Sequence, residues 1–175
     1  MAGTTTGDEL QHEPEAKNLG RRRAAGIYGA IITAAILDTA GGHLPTLALV
    51  VAVVVTLVVY WLAEEYAEIL GEQAGNGRLP SWTAIRGPLA ATWPMVSASF
   101  LPLLALLVAR LAGASAGAAA NIGLVAAIVL LTFHGWSAGR AAQLHGRALI
   151  LATSVALALG LVMIGLKDLV LNHLH

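Results

Sequence analysis

The sequence predicts an all-α fold, a polytopic integral membrane helix bundle of about five transmembrane helices. Three observations predict it. The 175 residues are 57% hydrophobic and only 11% charged, too apolar for the surface of an ordinary soluble domain. The apolar residues fall into long stretches separated by connections rich in Gly, Pro and polar residues. Lys and Arg gather beside alternate connections, as they do when cytoplasmic loops carry the positive excess.

Residues 1–20 hold four acids, Pro14 and no apolar periodicity, and read as a disordered cytoplasmic tail ahead of a transmembrane domain over 21–175. Arg21, Arg22 and Arg23 then precede an apolar run over 24–40, close to the shortest that spans hydrocarbon as a helix. A basic run before an apolar one also describes a secretory leader, but four further spans favour an uncleaved anchor. Gly41, Gly42 and Pro45 mark a tight connection to a second helix over about 44–70. Its Val-rich start would suit a buried strand if it were shorter; length decides for helix. Gly71 to Ser81 is turn-forming, and the third helix runs over about 88–109 with Pro94 and Pro102 inside it, which predicts a kink. Small residues from Gly113 to Gly117 lead to a fourth helix over about 118–138. A short basic connection, Gly139 to Arg147, precedes a fifth over about 148–170.

With the N-terminus in the cytoplasm, Lys17, Arg21, Arg22, Arg23, Arg78, Arg86, Arg140 and Arg147 flank the cytoplasmic side, and only Arg110 and Lys167 the other. Eight against two places the protein in the cell membrane with the C-terminus on the opposite side. The formal net charge is zero and the basic residues are dispersed, which sets nucleic acid aside as a partner. Without cysteine there are no disulfides, thiolate metal sites or redox dithiols.

Ionisable side chains within spans are costly in lipid and point to function. Glu64, Glu65, Glu68 and Glu72 cluster at the end of the second helix, where helical spacing lets several carboxylates converge and offer oxygen ligands to a divalent metal ion. The competing reading pairs them with Arg21 to Arg23, Arg78 and Arg86 at the same membrane face. Asp38, with His43 just beyond it, and His134 in the fourth helix are the candidates for proton coupling. Asp38 also has a structural reading, a water-facing carboxylate paired with Lys167, and His134 one as an interhelical hydrogen-bonding group. Pro94 and Pro102 free backbone carbonyls that could line a cavity. His173 and His175 lie at a chain end and carry little weight. Gly113 with Gly117, and Gly135 with Gly139, have the spacing that lets helices approach closely, within the chain or in a homodimer. No HExxH, phosphate-cradling loop, nucleophile elbow or triad pattern is present, so the protein reads as no enzyme and no resident cofactor is expected. An acid–base membrane enzyme using the acids and His134 is a weaker alternative.

From the second helix onward the order of features resembles a shortened member of the vacuolar iron transporter family. There the second helix ends in Gly-Glu-Tyr, and here Glu64-Glu65-Tyr66 stands at that place. Ser99-Phe100-Leu101-Pro102-Leu103 is similar to the family's phenylalanine and proline-leucine pair in helix three, and Gly135 to Arg140, Gly160 and Gly165 are similar to its later glycine punctuation. The resemblance implies dimers of five-helix subunits that exchange ferrous or manganous ions for protons, with Glu65 among the cation ligands. Two features depart from it. The family's Asp-Gly pair in helix one is Tyr28-Gly29 here, and its long Glu-rich segment between helices two and three is reduced to about ten residues. The expectation is therefore a small divalent-cation/proton transporter, with a non-catalytic membrane scaffold or partner subunit as the alternative.

Overall fold

The computed structural model describes the backbone of residues 6–73 and 82–173, and side chains over 18–71 and 85–162. Among these residues all regular structure is helical: α1 (Thr6–Ala40), α2 (Thr46–Gln73), α3 (Trp82–Thr92), α4 (Pro94–Ser97), α5 (Phe100–Leu111), α6 (Ala116–Ala141) and α7 (Arg147–His173). Arg78 and His175 lie outside the described residues, and of Glu72, Gly165, Lys167 and His173 only the backbone is described.

The first helix corrects the sequence reading. It begins at Thr6 and takes in most of the stretch expected to be a disordered tail. Glu9, Leu10, Gln11, Glu13, Glu15, Ala16 and Lys17 all favour helix, and residues added to an existing helix carry no new nucleation cost.

At the far end of α1 the His43 and Leu44 amides both donate to the Ala40 carbonyl at 3.1 Å, and the Leu49 amide takes the Pro45 carbonyl at 2.9 Å to start α2. Along α2, Leu49, Val53 and Leu57 are buried at intervals of four, while Leu47, Val51, Val55 and Val59 face outward. Outward apolar residues of this kind suit lipid.

The third apolar stretch is broken into α3, α4 and α5, as the prolines predict. Pro94 has no amide to continue the ladder of α3, and the Trp93 carbonyl instead accepts from Val96 and Ser97 at 3.0 and 3.2 Å. Ahead of Pro102 the Ser99 amide turns to Val96 at 3.1 Å, and the Ser99 hydroxyl donates to the same carbonyl at 2.8 Å. Gly113, at φ 93°, ends α5 with the Ala114 amide reaching back to Ala109 at 3.0 Å. Ser115 then caps α6 by accepting from the Ala118 amide at 3.2 Å.

The centre of the bundle is α1, which packs against α2, α3, α4, α6 and α7. Small residues make this possible. A Cβ on Gly29 would overlap the Met95 carbonyl of α4, so helix backbone meets helix backbone there. Gly123 of α6 repeats the arrangement: a Cβ there would stand 3.1 Å from the Pro102 carbonyl oxygen of α5. Gly135 and Gly139 seat Ala156 and Leu149 of α7, so this pair of glycines is used within the chain.

Three helical stretches among the described residues are long and apolar enough to cross a membrane: Thr46–Gly71, Ile85–Leu111 and Ala116–Ala141. The most apolar of them, along α2, is also the least buried. That is the pattern of a helix whose outer surface meets hydrocarbon. The five spans expected from the sequence are thus matched at three. In α1 the apolar run is diluted by Gly26, Gly29, Thr33 and Asp38, residues that a helix enclosed by its neighbours tolerates. In α7 the described side chains end at Val162, leaving a shorter apolar helix over Arg147–Val162.

Candidate functional site

The end of α2 carries Trp61, Glu65 and Glu68, whose intervals of four and three put them on one face of the helix. That face meets Thr92, the last residue of α3, and Arg21 of α1. The indole Nε1 of Trp61 donates to Thr92 Oγ1 at 3.0 Å, and the Thr92 hydroxyl donates in turn to Glu65 Oε1. Arg21 forms an ion pair with Glu68 and lies 3.7 Å from the same Glu65 oxygen. The Trp93 ring closes the group edge-on against Trp61, centroids 5.2 Å apart.

Glu65 is only 3% exposed, and its second oxygen, Oε2, is buried with no hydrogen-bond partner among the described residues. An acceptor with two or more open lone pairs is held here where water is excluded. Such an atom is costly to bury as a carboxylate oxygen without a proton or a cation beside it.

The other sequence candidates are dispersed. Glu64 is exposed on the adjoining face of α2 and lines a cleft of about 360 Å³ between α1 and α2, with Tyr28, Ile32, Tyr60 and Met95. Among the described residues no three His, Asp or Glu side chains converge so as to hold a metal ion. Glu65 and Glu68 instead come together around Arg21, the arrangement of the ion-pair reading. Asp38 is buried, 5% exposed, near the opposite end of α1. His134 is half-buried, and its ring lies over Gly26, with Cε1 3.1 Å from where a Cβ there would sit. Arg21 and Gly26 are separated by about 140° around the helix axis at 3.6 residues per turn. Glu65 and His134 therefore face α1 from different sides, and Asp38 lies near its far end.

Thr92 and Trp61 did not stand out in the sequence. The available signals were a hydroxyl two residues before a proline in an apolar stretch, and an indole one turn before a buried carboxylate.

No protein-family model matches this chain, and no match is found among curated proteins or among solved structures.

Proposed function

We propose that the protein is a small membrane transporter exchanging a divalent cation for protons, with Glu65 as the carboxylate that alternates between them. The observation that carries this reading is the buried Glu65 Oε2 inside an apolar helix, with no hydrogen-bond partner among the described residues. Two features support it. The broken stretch α3–α4–α5 brings irregular backbone against α1 in the bundle interior, where transporters place such breaks. The cleft between α1 and α2 supplies space beside Glu64, one residue from the buried carboxylate.

In this reading Arg21 occupies the position of a cation while the site is empty. Loading requires the guanidinium to leave, which frees Glu65 Oε1 and Glu68 as further oxygen ligands, with Glu64 adjoining from the cleft side. Five spans, a cytoplasmic N-terminus, an opposite C-terminus and residence in the cell membrane complete the proposal, on the charge distribution already described. Iron or manganese as cargo, and a homodimeric state, rest on the resemblance to vacuolar iron transporters.

The test is uptake of ferrous or manganous ion into liposomes holding the full chain and an internal pH dye. Saturable metal influx with opposite proton movement, lost in Glu65→Gln protein that remains folded, is the expected result. Flux that is absent from folded wild-type protein, or unchanged in the variant, overturns it.

The pairing of Arg21 with both Glu65 and Glu68 favours a second reading, a non-catalytic membrane scaffold in which the acids merely neutralise arginine. It predicts no saturable flux and little effect of Glu65→Gln on assembly or folding.

A further inference from the structure

Along the outside of the bundle α6 and α7 leave a groove of about 450 Å³ between them. Val129, Phe133 and Trp136 line it from α6, and Thr153 and Leu157 from α7. Its two threonines add little polarity, because Thr132 and Thr153 donate their hydroxyls to their own helix backbones at 2.8 and 2.9 Å. The groove is therefore an apolar trough opening on the surface that lipid covers.

Its end is not apolar. Arg140 stands one turn beyond Trp136 on the same face of α6, its guanidinium carbon 5.6 Å from the centre of the Trp136 ring. Arg140 is exposed, as are His145 and Arg147 in and after the turn that follows. No acidic residue lies between Arg140 and Arg147 to answer this charge. A single long molecule with an apolar tail and an anionic head matches both parts of the surface.

We infer that the α6–α7 groove is a binding site for an anionic phospholipid, an acyl chain lying along Val129, Phe133 and Leu157 and the headgroup phosphate against Arg140. The Arg140–Trp136 contact sets the depth of the head: the indole holds the guanidinium at the boundary between hydrocarbon and headgroups, where aromatic rings of membrane proteins gather. A zwitterionic lipid offers the same chain but carries a cationic group next to Arg140, so the site prefers lipids with net negative charge.

The experiment is native mass spectrometry of the purified full chain released from nanodiscs of equal parts phosphatidylglycerol and phosphatidylcholine. Wild-type protein is expected to retain phosphatidylglycerol in excess, and Arg140→Gln to lower that preference roughly fivefold, the attraction one arginine contributes near an anionic surface. Val129→Trp, which fills the trough from an outward-facing position and leaves the basic end intact, is expected to lower retention of both lipids while the helical circular dichroism signal is unchanged. Equal retention of the two lipids by the wild type overturns the inference. So does a preference that survives Arg140→Gln, or a lipid-free dimer in which Val129→Trp breaks the dimer, since the groove would then hold a second copy of the chain.

Discussion

At the residue scale, the most exacting contact in the bundle is the one in which a side chain is absent. Gly29 lets the Met95 carbonyl sit where a Cβ would otherwise stand. Gly29→Ala must push α1 and α4 apart, and the expected loss is about 3 kcal/mol, the upper range for overpacking. Thermal unfolding in detergent, followed by tryptophan fluorescence, measures it. Gly117→Ala is the matched control: nothing lies within 4 Å of its Cβ, and the gain in helix propensity should leave stability unchanged or raised by up to about 1 kcal/mol. Gln143 offers the opposite case. It holds φ 57° at the end of α6, with the Leu144 amide bonded back to the Gly139 carbonyl at 3.0 Å, a position that suits glycine. Gln143→Gly is expected to stabilise the protein by about 0.5–1 kcal/mol in the same assay, the strain of a left-handed residue outweighing the added freedom of the unfolded chain. Thr92→Val removes the hydroxyl shared by Trp61 and Glu65 and should cost about 1–3 kcal/mol, the price of leaving buried polar groups without a partner, whereas Thr92→Ser should cost much less.

At the element scale, the sequence was most legible where a strong local rule applied. Pro94 and Pro102 predicted the interruption of the third apolar stretch, and the breaks fall at Trp93 and at Ala98–Ser99, directly ahead of each proline's missing hydrogen bond. Hydropathy located α2, α6 and their ends to within a few residues, because lipid-facing helices must be apolar along their length. It served α1 less well. A helix packed by others on most sides is selected for small residues rather than apolar ones, and Gly26, Gly29 and Thr33 lower its apparent fitness as a span. The carboxylates were legible as unusual residues, but not which of them would be buried. That is decided by Arg21 and Thr92, 44 and 27 positions away from Glu65, and no periodicity within α2 encodes them. The break at Pro94 can be tested as an element. Pro94→Ala restores an amide and should fuse α3 with α4, moving the Met95 carbonyl off Gly29; slower hydrogen exchange across residues 90–97, together with a lowered melting temperature, is the expected pair of results.

At the scale of the whole molecule, the group at the end of α2 ties together three segments that are distant in sequence. Arg21→Gln leaves the buried Glu65 and the half-buried Glu68 without their cation, and is expected to destabilise by about 2 kcal/mol, less than the full cost of breaking a buried pair because the arginine is partly exposed. Adding Glu65→Gln should recover part of that loss. The double-mutant cycle, read by thermal unfolding, then gives the coupling between α1 and α2 directly. Strict additivity of the two substitutions would mean that the 3.7 Å approach contributes nothing to holding the helices together.

The backbone contact at Gly29 also fixes the mechanics of the bundle. Backbone meets backbone at this point, so the place where α1 crosses α4 can act as a fulcrum for α1. Arg21 lies about 12 Å to one side of it along the helix and Asp38 about 13.5 Å to the other, at 1.5 Å per residue. Any tilt of α1 about this crossing would swing Arg21 and Asp38 in opposite directions by nearly equal amounts.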